Sequence, residues 1–213
     1  LIMEPKKNKI YSVGYATHTI ESFTATLKKY NITEIVDVRS QPYSGYKPEF
    51  NREILKQVLF NNGIEYIFLG DNLGARIKAP ECYKNGHAKY DLISNHPIFQ
   101  EGIVRILKEI KKFSVAMMCA EKDPINCHRT ILVCKQLKNY EIQIVHIIDD
   151  NTSEDHSETE FRLMKLHHLE QPDLFMKDSE RLEEAYSRQA AKIAYVAENS
   201  EDYTVDRKGF GNG

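Results

Sequence analysis

The chain has 213 residues, 41% of them hydrophobic, with 29 Lys plus Arg against 31 Asp plus Glu and a net charge of −2. That length supports one buried core, and so even a charge balance gives no support for nucleic acid as a partner through non-specific attraction to phosphates. No apolar stretch approaches the roughly 18 residues a membrane span needs, and the opening LIMEPKKNK lacks the apolar core of a signal peptide, so the expected setting is cytoplasmic, with no membrane partner and with Cys82, Cys119, Cys127 and Cys134 as thiols.

From the start, short β-rich runs alternate with amphipathic stretches. IYSVGY (10–15), EIVDV (34–38), EYIFL (65–69), SVAMMC (114–119) and IQIVHII (142–148) predict five buried strands. Between them ESFTATLKKY, NREILKQVLFNN, IFQEGIVRILKEIKK and HRTILVCKQLKNY carry apolar residues three and four apart, as amphipathic helices do. Alternation of this kind predicts an α/β fold: three layers, a mostly parallel sheet of about five strands, and helices on both faces. The stretch 70–96 breaks the rhythm and is expected to be a lid or binding loop. TEFRLMKLHHL and SERLEEAYSRQAAKIAYVAE predict two further helices. The expected organisation is a core domain at 9–150, a helical C-terminal extension at 151–198 packed on it, and a flexible tail at 199–213.

Open parallel sheets bind ligands beyond the carboxyl ends of their strands. The polar residues that follow each predicted strand are therefore the informative ones: Thr17 and His18 after the first, Asp37 and Arg39 after the second, Arg76 after the third, and CAEKDPINCHRT (119–130) after the fourth. Asp37 and Arg39 flank Val38 and should point the same way, either as a bracing ion pair or as part of a site. In the fourth segment Asp123-Pro124 or Asn126 can cap a helix whose first turn holds Cys127, His128 and Arg129, where free N–H groups and the helix dipole favour an anion or a thiolate. Cys119, with Glu121 or His128 as proton acceptor, is the other candidate nucleophile. The plain alternative for either cysteine is packing. No metal is expected: the spacing matches no paired-cysteine finger, and neighbouring Cys127 and His128 should struggle to reach one ion. Phosphate-loop and dinucleotide fingerprints are absent, so the cofactor is unknown.

YSVGYATHTIESF, EIVDVRSQPYS followed by PEFN, LGARIKAPECY, MMCAEKDPINCHR, VHII and QPDLF with QAAKIAY together resemble the bacterial and archaeal family catalogued as domain of unknown function 488. The resemblance runs from about Tyr11 to Tyr195. It implies shared polar positions at Gly14, Thr17, Asp37, Arg39, Asn51, Gly74, Arg76, Cys119, Glu121, Cys127, His128 and Arg129, but no established activity. This chain departs from the family at Tyr15 and Ala16, where many members have His-Ser, and at Ala75, where many have Gly. A fainter similarity links the order strand, cysteine loop, arginine at a helix start to rhodaneses and cysteine phosphatases.

The function these readings suggest is an enzyme, a thiol-dependent hydrolase or transferase, acting on a small anionic ligand that is a nucleotide or a phosphorylated or sulfur-bearing metabolite. Its catalytic candidates are Cys119, Glu121, Cys127 and His128; its ligand-binding candidates are Thr17, His18, Asp37, Arg39, Asn51, Arg76 and Arg129. The rival is a nucleotide- or nucleic-acid-binding module without turnover, with Tyr43, Tyr46, Lys47 and Tyr83 available to stack on bases. The oligomeric state is not readable.

Overall fold

The computed structural model describes residues 8–197; the expected tail 199–213 lies outside them. Five strands, β1 (Asn8–Gly14), β2 (Glu34–Asp37), β3 (Glu65–Phe68), β6 (Val115–Cys119) and β7 (Ile142–Ile147), form a parallel sheet in the order β3-β2-β6-β1-β7. A sixth, β8 (Ser153–Asp155), pairs antiparallel with β7 and closes one edge. The sheet thus has six strands rather than about five, because a three-residue polar segment has no periodicity to reveal it.

The helices divide by the direction of their connections. The helices α1 (Ile20–Lys29) and α2 (Arg52–Asn61) follow β1 and β2 and pack Phe23, Leu27, Leu55 and Leu59 against Val13, Ile35, Ala116 and Met118. On the other face lie α5 (Pro97–Glu109), a π-helix (Arg129–Cys134) that runs into α6 (Lys135–Leu137), and the C-terminal helices α7 (His156–Leu166) and α8 (Asp178–Ile193). Their Ile103, Ile106, Leu132, Leu163 and Tyr186 share one buried cluster with Ile10, Val36, Met117 and Cys119. Strand alternation in β6 accounts for this: Ala116 and Met118 face one layer, Met117 and Cys119 the other.

The interval 70–96 holds short elements: α3 (Gly70–Leu73), a two-residue hairpin β4 (Tyr83–Lys84) and β5 (His87–Ala88), and α4 (Tyr90–Asn95). It passes close over the loop after β2. A Cβ on Gly70 would lie 2.0 Å from the Arg39 carbonyl oxygen, and one on Gly74 2.4 Å from Ser40 Oγ.

Chain direction reverses between β2, which leads into α2 on one face, and its neighbour β6, which leads into the π-helix on the other. A crevice opens between adjacent strands wherever their connections part in this way. At the opposite end of the sheet, Glu34 opens β2 with its side chain buried, Oε1 without a hydrogen-bond partner among the described residues, and Glu109 nearby. Burial, reinforced by the Glu109 charge, pushes its carboxyl up to about 7. The folded state therefore keeps a proton that the unfolded chain releases above about 4.5, and stability falls as pH rises through that window. Glu34→Gln is expected to stabilise by about 1–2 kcal/mol at pH 8, screening included, and by nothing near pH 4. Urea unfolding at the two pH values checks it; an equal shift at both would show that ionisation is not the cause.

Candidate functional site

The crevice between β2 and β6 is a cleft of about 390 Å³ lined by Arg39, Arg76, Cys119, Glu121 and His128, with Tyr15, Tyr43, Tyr90 and Tyr195 around them. Asp37, expected at the same sheet edge, does not line the cleft; it is wholly buried and lies beneath Arg39. Arg39 Nη2 donates to Asp37 Oδ2 (2.6 Å) and Nε to Oδ1 (2.9 Å), and Tyr66 donates its hydroxyl to Oδ2 (2.7 Å). The bracing ion pair and the site are one structure, since Asp37 fixes a guanidinium whose Nη1 is buried and has no hydrogen-bond partner among the described residues. Burial works against the Arg39 charge, but the Asp37 carboxylate, with a smaller contribution from Tyr15, outweighs it and holds the guanidinium protonated.

The segment 119–129 folds back across the end of β1. Asp123 caps a 3-10 turn (Pro124–Asn126) by accepting from the Ile125 N–H, and the π-helix begins immediately after His128. A π-helix was not readable in HRTILVC, which fits α spacing equally well; such turns are rare and cluster at functional sites. His128 Nε2 lies 2.9 Å from the Val38 carbonyl oxygen and donates to it, so Nδ1 carries the lone pair in the neutral ring and a second N–H in the protonated ring. That nitrogen lies 3.6 Å from Cys119 Sγ and 3.9 Å from Cys127 Sγ, while the Cys119 thiol donates to Glu121 Oε2 (3.1 Å). Cys119 reaches the cleft; Cys127 sits one layer deeper, 1% exposed.

The two thiols divide one charge. Burial opposes ionisation of Cys127, but its contact with Cys119, the Arg129 guanidinium and His128 together hold its thiol well below the usual range. Cys119 is pushed up by its contact with Cys127 and by burial. Glu121 is exposed as a residue, but desolvation of its carboxyl against the protein and the Cys127 charge raise it. His128 is lowered by burial yet raised further by Cys127, with a net upward shift.

Arg129, expected to hold a ligand, is fully buried and turned inward. It donates from Nη1 to the Glu121 carbonyl oxygen (2.6 Å), from Nη2 to that of Lys122 (3.1 Å) and from Nε to Ser12 Oγ (3.2 Å), pinning the loop over β1. Gly14 permits the same contact: a Cβ there would lie 1.8 Å from the Glu121 carbonyl oxygen. Thr17 is exposed and does not line the cleft, and His18 is buried against Ser22, its Nδ1 3.2 Å from Ser22 Oγ. Asn51 Oδ1 accepts from the Ser44 N–H (2.6 Å) and shapes the loop carrying Tyr43. Arg76 places its guanidinium 4.2 Å from the centre of the Tyr195 ring. Tyr90 and Tyr195 had no signal in the local sequence; they reach the cleft from α4 and from beyond α8.

Among the described residues two clusters of donors could hold an ion. The donor atoms of Cys119, Cys127 and His128 lie within 4.8 Å of one another, so adjacency of Cys127 and His128 is no steric obstacle, contrary to expectation. Cys134, His146 and His156 form the second cluster, outside the cleft.

The family described as Domain of unknown function DUF488 matches residues 19–135, more than half of the chain. The chain belongs to the DUF488 family. No curated protein and no solved structure matches it. The DUF488 match contains Arg39, Arg76, Cys119, Glu121 and His128, whereas Tyr15 and Tyr195 lie outside it. Among the described residues no helix is long and apolar enough to cross a membrane.

Proposed function

We propose that this DUF488 protein is an enzyme that binds a small anionic ligand in the cleft between β2 and β6 and attacks it with a thiol. The observation that carries the reading is Arg39 Nη1. An unpaired buried N–H costs about 1–3 kcal/mol, and a cationic one more. Arg39 is locked by Asp37 in a cleft too polar for packing alone, so an anionic oxygen from a ligand is the partner that Nη1 lacks. Arg76 stands on the same wall, and the tyrosines suit a nucleotide or another flat metabolite.

In this reading Cys119 is the attacking group because its sulfur faces the cleft. Its proton passes to Glu121 or to His128 Nδ1, the sulfur bonds to the electrophilic centre as the leaving group departs with the proton, and water or an acceptor substrate then displaces the bound group and restores the thiol. The Arg129 guanidinium lies behind the pair and favours the thiolate form. A second reading, a module that stacks single-stranded bases, is favoured by Tyr43 and Tyr46, exposed at 64% and 100% beside the cleft.

Thermal shift against metabolites, nucleotides and oligonucleotides separates the two. A saturating small ligand, at about 100 times its Kd, adds about 2.7 kcal/mol to stability. The enzyme reading expects this shift, turnover of the hit, and loss of turnover with retained folding in Cys119→Ser. A salt-sensitive oligonucleotide hit with no conversion selects the module instead. Thiol labelling gives an independent check: at neutral pH an alkylating reagent should modify one sulfur of the Cys119–Cys127 pair and spare Cys82 and Cys134. If Cys82 reacts first in the native protein, the nucleophile is lost from the proposal. His128→Gln keeps one hydrogen bond but cannot titrate near neutrality, so the expected result is a nearly unchanged melting temperature with activity abolished.

A further inference from the structure

The proposed cleft leaves one group of buried, chemistry-bearing side chains unused. Cys134 at the end of the π-helix, His146 in β7 and His156 at the first position of α7 come from three separate elements, and their donor atoms lie within 4.8 Å of one another. All three are buried. A lone thiol in this place would be ordinary packing; two imidazoles turned toward it are not.

The outer nitrogens of both rings are already held. Ser12 Oγ lies 2.6 Å from His146 Nδ1, and the Tyr186 hydroxyl oxygen lies 3.1 Å from His156 Nε2. Tyr186 gives its own proton to Glu160 Oε1 (2.8 Å), so it accepts from His156 Nε2–H, which leaves His156 Nδ1 as a lone pair facing inward. His146 Nε2 stands 2.9 Å from that nitrogen. Ligating histidines are typically fixed by a partner on the second nitrogen, a hydroxyl, carboxylate or carbonyl that sets the tautomer and the ring plane. Here both rings have one, and both inner nitrogens converge on a thiol.

We infer that Cys134, His146 and His156 form a binding site for a divalent cation of the zinc class, with Cys134 Sγ, His146 Nε2 and His156 Nδ1 as ligands. One thiolate and two imidazoles suit zinc or cobalt better than magnesium or calcium, which take oxygen ligands, and three protein ligands leave a fourth position for water. The proton balance closes. The Cys134 thiol loses its proton to solvent. His146 moves its ring proton from Nε2 to Nδ1, where Ser12 Oγ accepts it, and His156 keeps its proton on Nε2. One proton is released per ion bound. Drawing the facing donors around bonds of about 2.0–2.3 Å needs only side-chain adjustments. The ion would tie α7 to β7 and the π-helix more firmly than the existing His146–His156 hydrogen bond and the Lys138–Glu160 and Arg162–Asp123 ion pairs do.

The test is cobalt titration of the full chain, stripped of metal with a chelator and kept reduced. The expected result is one equivalent bound with a thiolate-to-cobalt charge-transfer band that is lost in Cys134→Ser and retained in the Cys119→Ser/Cys127→Ser double variant. Tyr186→Phe, which removes only the hydroxyl behind His156, should fold and weaken cobalt binding by about tenfold. It keeps the inference open to refutation if Cys134→Ser fails to fold. Absence of the band in the native chain overturns the site, as does a band that survives Cys134→Ser and vanishes in the double variant, and as does unchanged affinity in Tyr186→Phe.

Discussion

Arg129→Met is expected to lower the unfolding free energy by about 3 kcal/mol and to switch off thiol reactivity at the Cys119–Cys127 pair. The three donors of Arg129 hold the Glu121 and Lys122 carbonyl oxygens and Ser12 Oγ, and hydrogen bonds to a charged group contribute about 1.5–3 kcal/mol each before the relief of burying a charge is subtracted. Methionine has comparable length and fills the space without donors. For a chain of this size about 3 kcal/mol corresponds to roughly 6–12 °C in melting temperature. The second effect has a separate cause: the guanidinium is one of the groups that hold the Cys127 thiol low, so its removal should return the pair to the unreactive thiol form at neutral pH. Thermal melts and alkylation rates on the same samples check both. Normal melting with normal labelling would show that the loop is fixed by something other than Arg129.

Asp37→Ala should cost more. It strips the carboxylate from a buried guanidinium and leaves the Tyr66 hydroxyl without its acceptor, and breaking a buried pair by removing one partner costs about 3–5 kcal/mol. A fall of about 10 °C or more is the expected reading. The double variant Asp37→Ala/Arg39→Met removes the stranded charge and should recover part of that loss, while ligand stabilisation disappears because Nη1 is gone. Stability of the double variant no better than that of Asp37→Ala would mean that the charge was never the problem and that the damage is packing around Tyr66. Retained ligand stabilisation in the double variant would remove Arg39 from the binding site.

The strands legible in the sequence were those whose burial on both faces writes a continuous apolar run. EIVDV and SVAMMC mark β2 and β6 to within one residue at each end. What hid β8 was its position: an edge strand of Ser, Glu and Asp is a strand only by its hydrogen bonds to β7, and those are not encoded in its own composition. The π-helix was hidden for a related reason. Its six residues are all buried, so no exposed face records the turn length, and the widened turn emerges from packing against the sheet and α8.

The site divides along the same line. The residues lining the cleft were visible because polar and ionisable residues at strand ends are not explained by core formation, and Arg39, Arg76, Cys119, Glu121 and His128 all carried that mark. Their meeting in one cleft depends on β2 lying beside β6, a neighbour relation between strands some 80 residues apart that no local pattern specifies. Side-chain direction was equally out of reach. Arg39 and Arg129 are the same residue type at comparable positions, yet Arg39 lines the cleft with a buried Nη1 that has no hydrogen-bond partner among the described residues, while each of the three nitrogens of Arg129 donates to a carbonyl or a serine. Sequence by itself determined which ionisable residues the sheet edge carries, because residue type and strand period are local properties; the tertiary structure decided which of those groups line the cleft, because that depends on which backbone acceptors the fold brings within reach of each side chain.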